Sequence, residues 1–193
     1  MRVQALGCKD IVCYVEHTDS LVDFAKIFLG KYPSKPALPA ICGNEGLGEV
    51  VAIGDKVEGF EIGDRIVPNA NHLGTWATHI KRPEEDFMKV RSSIDPAALC
   101  QINVNPPTAY RMLKDFVSLQ PGDTVIQNGS NSAVGQAVLQ LSRAWGLKTI
   151  AVVRDRPDII NLVSNLKCLG ATEVLTEDQA NATDKFKNGE WKK

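Results

Sequence analysis

The sequence predicts an α/β protein in which a β-rich portion comes first and a parallel sheet covered by helices follows. Up to about residue 90, short β-rich runs are separated by turns that contain glycine and aspartate, which suits a small barrel or sandwich. From residue 120 the order becomes strand, glycine-containing turn and helix, repeated, as in βαβ units. These patterns predict two domains, 1–90 and 91–193, the second ending in a loose lysine-rich tail over 185–193.

Three strands are predicted in the first portion, over 48–53, 65–67 and 75–80, since each is a short β-rich run bounded by a turn. Two helices, over 95–101 and 109–116, are expected to link the two portions. Asn105, Pro106 and Pro107 lie between these helices, and we expect a stiff turn there because proline also restricts the residue before it.

The second portion opens with a strand over 124–127. The next segment has apolar residues at helical spacing, with Ser132 as a predicted cap and Gly146 at its end. The remaining elements expected are strands over 148–153 and 172–175 and, between them, a helix over 157–169 that opens with a proline.

The composition excludes several classes of function. With 193 residues, 44% of them hydrophobic and 23% charged, the chain has ordinary globular character. Lys and Arg number 22 against 23 Asp and Glu, so a net charge of −1 gives no basic field for a nucleic acid or an anionic membrane surface. No apolar stretch approaches the roughly 20 residues of a membrane span. We therefore expect neither nucleic-acid nor membrane partners.

Cysteine usage and the N-terminus bear on the compartment. The five cysteines are odd in number and include no C-x-x-C pair, so we expect reduced thiols and no zinc knuckle. Residues 1–20 carry acidic side chains and lack both the apolar core of a signal peptide and an Arg- and Ser-rich stretch. No transit peptide is visible in this chain.

The turn over 128–135, Asn-Gly-Ser-Asn-Ser-Ala-Val-Gly, lies between a predicted strand and a predicted helix. Backbone N–H groups and a helix N-terminus built from small residues are what the pyrophosphate of a dinucleotide requires. Gly129 and Gly135 keep only part of the G-x-G-x-x-G spacing, so the alternative is a β-to-α connection that binds nothing.

Arg154, Asp155 and Arg156 follow the second strand of this portion. At this place an NAD site holds an acid for the ribose 2′-hydroxyl, whereas an NADP site holds arginine for the 2′-phosphate. Two arginines favour NADPH. The alternative is a solvated charge cluster in which Asp155 pairs locally.

A third motif, Gly43-Asn44-Glu45-Gly46 followed by Gly48 and Val50, resembles the G-H-E-x-x-G-x-V stretch of medium-chain dehydrogenase/reductases. Asn44 stands where the zinc alcohol dehydrogenases place a zinc-ligating histidine, and no four-cysteine lobe is present. We therefore expect no metal.

Further motifs narrow the resemblance to the mitochondrial trans-2-enoyl-thioester reductases, from about Gly30 to about Asp178. These motifs are Tyr32-Pro33-Ser34, Leu73-Gly74-Thr75-Trp76, Val104-Asn105-Pro106, Thr108-Ala109-Tyr110-Arg111-Met112-Leu113, Val125-Ile126-Gln127-Asn128, Val134-Gly135-Gln136-Ala137-Val138 and Val152-Val153-Arg154-Asp155-Arg156-Pro157-Asp158. Several motifs in one order are far more specific than a glycine turn alone.

The resemblance implies a GroES-like catalytic portion followed by a partial Rossmann domain, a doubly wound parallel sheet. It implies reduction of trans-2-enoyl thioesters, carried on acyl carrier protein or coenzyme A, by NADPH in mitochondrial fatty-acid synthesis. A matrix location and a homodimer are implied in the same way. Tyr32 matches the family's catalytic tyrosine, a proton donor or enolate stabiliser. The residues that match cofactor contacts are Asn105, Asn131, Ser132, Ala133, Val134, Arg154, Asp155 and Arg156.

Two departures from the family lead us to expect a chain truncated at both ends. The family's N-terminal strands are expected to be missing, with a non-matching segment over 13–28 in their place. Only three strands are predicted after residue 120, half of a dinucleotide fold, which leaves the first of them as an open sheet edge. The missing half-sheet leaves open a non-enzymatic module that binds nucleotide or pairs with a partner. A second alternative, an NADPH quinone oxidoreductase, comes from the same superfamily.

Overall fold

The computed structural model describes residues 9–16, 29–31, 39–91 and 93–183. The chain separates into two compact units, Met1–Val104 and Asn105–Lys193. Antiparallel strands in the first unit and parallel strands with helices in the second confirm the predicted α/β class. The domain boundary predicted after residue 90 precedes the division between the units and stays a prediction. The tail predicted over 185–193 lies outside the described residues.

The first unit contains an antiparallel sheet. Its described strands are β1 (Asp10–Glu16), β2 (Leu47–Ile53), β3 (Arg65–Pro68), β4 (His79–Pro83) and β5 (Phe87–Lys89), with a 3-10 turn at Glu84–Asp86. They pair in the order β4-β1-β2-β3-β5. Side chains alternate between the faces of the sheet, so Val50 is buried while the adjacent Val51 is exposed. Ile11, Val50 and Ile66 form the centre of the resulting core.

Strand β1 was not predicted from the sequence, and its last residues, 13–16, lie in the segment that was not expected to match the family. It lies between β2 and β4, and its Ile11 and Cys13 side chains are buried in the core. The strand was missed because the interpretation of this region rested on family motifs and passed over the apolar run from Ile11 to Val15, which has strand character. The expectation that the family's N-terminal strands are missing stays a prediction. The remainder of the non-matching segment, 17–28, lies outside the described residues.

Strand β4 begins at His79, four residues later than the strand predicted from residue 75. Thr75 and Trp76 donate their backbone N–H groups to the carbonyls of Gly43 and Cys42, at 3.4 and 2.9 Å. Because these N–H groups bond to a loop, the segment is not available for pairing in the sheet.

The helix α1 (Pro96–Leu99) is capped by Asp95, whose carboxylate accepts from the backbone N–H of Ala97 at 2.8 Å. The next helix, α2, spans Asn105–Lys114, so the stiff turn predicted at Asn105-Pro106-Pro107 is wrong. Proline fits the first turn of a helix, where its missing N–H has no intrahelical acceptor to lose.

The second unit is built on a parallel sheet with the order β6-β7-β8. Its described elements are β6 (Thr124–Gln127), α3 (Ala133–Ala144), β7 (Lys148–Val153), α4 (Ile159–Leu169), β8 (Glu173–Thr176) and α5 (Glu177–Ala182). Five of the six β7 residues are buried, as expected of a strand covered on both faces. Leu139 and Leu166, on helices α3 and α4, pack against Ala151 and Val153 of β7. Burial of each large aliphatic side chain contributes about 1.5–3 kcal/mol.

Within the described ranges, no helix combines the length and the apolar character that crossing a bilayer requires.

Candidate cofactor site

The candidate site lies at the carboxyl ends of the parallel strands in the second unit. Gln127, the last residue of β6, pairs with Ala151, and Val153, the last residue of β7, pairs with Thr176 of β8. The turn after β6 and the arginine-containing segment after β7 therefore leave the sheet at the same edge. Ligands of open parallel sheets bind at this edge.

The turn after β6 is tied to the sheet by hydrogen bonds. Ser130 donates its backbone N–H to the carbonyl of Val152 on β7 at 3.3 Å and its hydroxyl to the carbonyl of Gln127 at 2.9 Å. Gly129, at φ +59°, provides the left-handed residue that reverses the chain, and its carbonyl accepts from the Ser132 N–H at 2.9 Å. Ser130 is fully buried, so the turn packs against the sheet and does not project from it.

Gly135 allows helix α3 to start directly against this turn. A Cβ atom on Gly135 would lie 2.7 Å from the backbone atoms of Ser130, closer than real Cβ contacts. The helix can approach the turn this closely only because Gly135 has no side chain. Glycine has the same packing role in dinucleotide-binding turns.

The start of α3 presents backbone N–H groups. Ser132 caps the helix by accepting from the Gly135 N–H at 3.1 Å. Within the described part of the chain, the N–H groups of Asn131, Ala133 and Val134 have no hydrogen-bond acceptor. Together with the positive end of the helix dipole they suit an anionic ligand, and the close-packed glycine keeps side-chain bulk away from it. The turn thus fits a dinucleotide pyrophosphate.

The segment after β7 presents two exposed arginines that differ in their partners. The Nε atom of Arg154 lies 3.7 Å from Oε1 of Glu177, a solvent-exposed pair of the kind that contributes little. Arg156 has no ion pair with any described residue. Asp155 accepts the backbone N–H of Arg156 through its carboxylate at 2.8 Å. This bond goes to the backbone and pairs Asp155 with neither guanidinium, so the Arg156 guanidinium is available to an anion.

Asn105 is the first residue of α2 and is half-buried. The helix it begins is anchored in the second unit, because its buried Ala109 and Leu113 belong to the same apolar cluster as Val138 of α3 and Leu147. The eight residues matched to cofactor contacts are all in this unit. Their assignment to a cofactor stays a prediction.

Tyr32, matched to the family's catalytic tyrosine, lies outside the described residues. Asn44, at the position of the zinc-ligating histidine, uses its side-chain oxygen to accept the backbone N–H of His72 at 2.8 Å. His72 has φ +59°, so this bond supports a strained turn. No three His, Cys, Asp or Glu side chains converge into a metal-binding group in the described ranges.

A cavity of about 440 Å³ in the second unit lies away from the candidate site. Its lining includes Pro121, which precedes β6, and Leu147, which precedes β7, so it opens at the amino ends of the strands. We do not assign the cofactor to it because the turn after β6 and the arginine-containing segment after β7 lie at the other edge.

Two glutamines of the site were not identified from the sequence. The Gln127 side chain donates to the Gly135 carbonyl at 2.9 Å, and the Gln136 side chain donates to the Asn131 carbonyl at 2.9 Å. The sequence does show a glutamine on each side of the glycine-containing turn. A carboxamide at either position can donate a hydrogen bond to the backbone carbonyls there and hold the turn in one conformation.

A family model described as an alcohol dehydrogenase GroES-like domain matches residues 11–92. The chain is 53% identical over 150 residues to a Homo sapiens protein named mitochondrial enoyl-[acyl-carrier-protein] reductase, covering 78% of this chain and 40% of the relative. A Caenorhabditis elegans protein of the same name is 48% identical over 150 residues, covering 78% of this chain and 44% of the relative. The chain therefore spans less than half the length of these curated relatives.

Solved structures are similar to the chain in fold. A mitochondrial 2-enoyl thioester reductase Etr1p/Etr2p heterodimer from Candida tropicalis is similar with a TM-score of 0.86 and 35% identity, covering 97% of this chain and 57% of that chain. A complex of Etr1p with NADP and crotonyl-CoA has a TM-score of 0.84 and 35% identity, covering 93% of this chain and 55% of the Etr1p chain. A Pseudomonas syringae quinone oxidoreductase is less similar, with a TM-score of 0.75 and 26% identity, covering 97% of this chain and 55% of the oxidoreductase chain.

Proposed function

We propose that this chain, which belongs over its matched residues to the enoyl reductases of the medium-chain dehydrogenase/reductase family, reduces trans-2-enoyl thioesters with NADPH. The observation that carries the proposal is the turn after β6, where Gly135 packs against Ser130 and N–H groups at the start of α3 are unbonded. This turn leaves the sheet at the same edge as the segment with Arg154 and Arg156. This arrangement supports a dinucleotide that carries an additional phosphate.

The residues of the second unit bind and orient the cofactor. The N–H groups of Asn131, Ala133 and Val134 bind the pyrophosphate. The guanidinium of Arg156 binds the ribose 2′-phosphate, and Arg154 joins it by exchanging its exposed contact with Glu177 for the phosphate. Asn105, at the start of α2, provides a further contact to the cofactor. When bound, NADPH supplies the hydride that adds to C3 of the enoyl thioester.

Tyr32 acts on the substrate side of the reaction. Hydride addition at C3 builds negative charge on the thioester oxygen and on C2, and a proton must reach C2 to complete the reduction. A phenol beside the substrate serves this step by donating either a hydrogen bond to the oxygen or the proton itself. This role for Tyr32 rests on the match of its motif to the family.

We propose mitochondrial location, in the matrix, and a thioester carried on acyl carrier protein or coenzyme A. The support comes from the names of the relatives, which are mitochondrial enoyl-[acyl-carrier-protein] reductases, and from the Etr1p structure with crotonyl-CoA. Pairing with a second copy or a close relative is proposed on the same ground, since the similar Etr1p/Etr2p structure is a heterodimer.

The test is oxidation of NADPH by the purified chain in the presence of crotonyl-CoA. Tyr32→Phe removes the phenolic hydroxyl, and we expect it to lower kcat by at least tenfold. Tyr110→Phe is the matched control, because Tyr110 is half-exposed on α2 and makes an edge contact with Trp145, which lines the cavity at the amino ends of the strands. Equal turnover in the parent and in Tyr32→Phe would contradict the proposed role of this tyrosine.

The two other functions are separated by the same assay. A quinone oxidoreductase would consume NADPH with a quinone and not with crotonyl-CoA. A non-enzymatic module would bind NADPH without turnover of either substrate. We favour the enoyl reductase because the similarity to enoyl reductases exceeds that to quinone oxidoreductases in both identity and TM-score.

A further inference from the structure

Gln136 makes a hydrogen bond that reaches from helix α3 back to the turn. It is the fourth residue of the helix, and its Nε2 atom donates to the backbone carbonyl of Asn131 at 2.9 Å. The side chain is half-buried, so water competes weakly for this bond. This contact connects the first turn of α3 to the residue at which the unbonded N–H groups begin.

The bond fixes the orientation of one peptide group. The carbonyl of Asn131 and the N–H of Ser132 belong to the same planar unit. Gln136 holds the carbonyl, and the Gly129 carbonyl holds the N–H at 2.9 Å. With both ends bonded, the plane between Asn131 and Ser132 has no freedom to rotate.

The next N–H groups follow from this plane. Ser132 enters the helix as its cap, and Ala133 and Val134 present the N–H groups that have no acceptor among the described residues. Rotation of the Asn131–Ser132 peptide would break both of its hydrogen bonds and change the backbone torsion angles on either side of it. The N–H groups of Asn131, Ala133 and Val134 lie next to this peptide, so the bond from Gln136 holds them in their positions at the start of α3.

We infer that Gln136 is a positioning residue of the dinucleotide site, which orients the turn toward the pyrophosphate without touching the cofactor. The inference rests on the proposed function, because the ligand is the NADPH assigned there. Loss of the Gln136 bond should therefore weaken binding of ligands that contain the pyrophosphate and leave binding of other ligands unchanged. Recognition of the 2′-phosphate by the segment after β7 does not depend on this peptide.

Helix α3 offers a matched control one turn further on. The Nε2 atom of Gln140 donates to the carbonyl of Gln136 at 3.2 Å, on the exposed face of the same helix. Gln136→Ala and Gln140→Ala each remove one carboxamide and one side-chain-to-backbone bond from α3, but only the first removes a contact with the turn.

The experiment is calorimetric titration of the full chain and its variants with NADPH and, separately, with adenosine 2′-monophosphate, which lacks the pyrophosphate. We expect Gln136→Ala to weaken NADPH binding about fivefold to tenfold, with unchanged binding of the monophosphate. Gln140→Ala is expected to bind both ligands like the parent. Gln136→Met keeps the length and helix propensity, carries no charge and cannot donate, so it should reproduce the defect if the alanine variant fails to fold.

Each outcome separates this inference from the proposed function. If the parent chain binds NADPH and Gln136→Ala binds it equally well, the positioning role is overturned while the function stands. Equal weakening of both ligands also overturns it, because that pattern indicates general damage to the unit. If the parent binds no NADPH, the proposed function fails and this inference fails with it.

Discussion

At the scale of single residues, Gly135 shows most directly how the sequence shapes the site. A Gly135→Ala methyl group would lie 2.7 Å from the Ser130 backbone, so the helix and the turn must separate. Alanine ordinarily stabilises a helix by about 1 kcal/mol relative to glycine. We expect the clash to outweigh this and lower the free energy of unfolding by about 1–3 kcal/mol, measured by urea denaturation.

Gln140→Ala is the control for Gly135→Ala, since it introduces the same residue on an exposed face of α3. It should change the free energy of unfolding by no more than about 0.5 kcal/mol. A Gly135→Ala chain as stable as the parent, or more stable, would contradict the close packing of turn and helix.

The cysteine thiols provide a second prediction at this scale. Burial raises the pKa of the Cys13 thiol to about 12, whereas Cys168 is exposed on α4. Because the thiolate is the reactive form, iodoacetamide at pH 8 should label Cys168 while Cys13 stays unlabelled, as read by peptide mass spectrometry. In urea both should react.

The raised pKa of Cys13 also fixes the sign of a pH dependence. The folded state favours the neutral thiol, so its contribution to stability is complete below the ordinary thiol pKa of 9.0 and is lost as the pH rises towards about 12. Rapid labelling of Cys13 in the folded chain at pH 8 would contradict its burial in the sheet of the first unit.

At the scale of elements, the cap of α3 couples stability to binding. Ser132→Ala removes the hydroxyl that accepts the Gly135 N–H at 3.1 Å. We expect a loss of about 1 kcal/mol in the free energy of unfolding and, because the same residue shapes the anion site, weaker NADPH binding. Urea denaturation and calorimetric titration measure the two effects.

The control for this cap is Asp95→Ala, which removes the cap of α1 in the first unit. It should destabilise the chain by a similar amount and leave NADPH affinity unchanged. Loss of cofactor affinity in both variants would mean that the effect reports general destabilisation and not the cap of α3.

The elements that the sequence predicted best are those whose boundaries are set by local chemistry. Strands β6 and β7 have the predicted bounds, since each is an apolar run between a turn and a glycine or charged segment. Helix α3 likewise lies between its predicted cap, Ser132, and Gly146.

The elements that the sequence missed depend on tertiary contacts or on short motifs. Strand β1 was missed although the apolar run from Ile11 to Val15 has strand character, and its pairing with β2 and β4 depends on tertiary contacts. Helix α5 was not predicted, although Thr176 and Gln179 form a capping box with spacing that was visible in the sequence. The start of α2 was placed too late because two prolines were taken as a turn and not as a first helical turn.

At the scale of the whole molecule, the parallel sheet accounts for what could be predicted of the site. The sequence indicated the turn and the arginine pair through their residue types and their distance along the chain. The parallel sheet brings both to one edge. The hydrogen bonds of Gln127 and Gln136 could not be predicted, because they depend on the conformation of a turn that periodicity does not describe.

The open edge of β6 belongs to the same scale. Among the described strands, β6 pairs with β7 on one side only, and its Ile126 is half-exposed. An unpaired apolar edge is a place at which another strand can add.

The central claim is that the second unit binds NADPH through its turn and its two arginines. The most direct measurement is calorimetric titration of the chain with NADPH and with NADH, repeated for the Arg154→Ala/Arg156→Ala variant. The account predicts that NADPH binds at least about tenfold more tightly than NADH and that the variant loses this difference while retaining NADH affinity. Failure to bind either dinucleotide, or equal affinity of the parent chain for both, would contradict it.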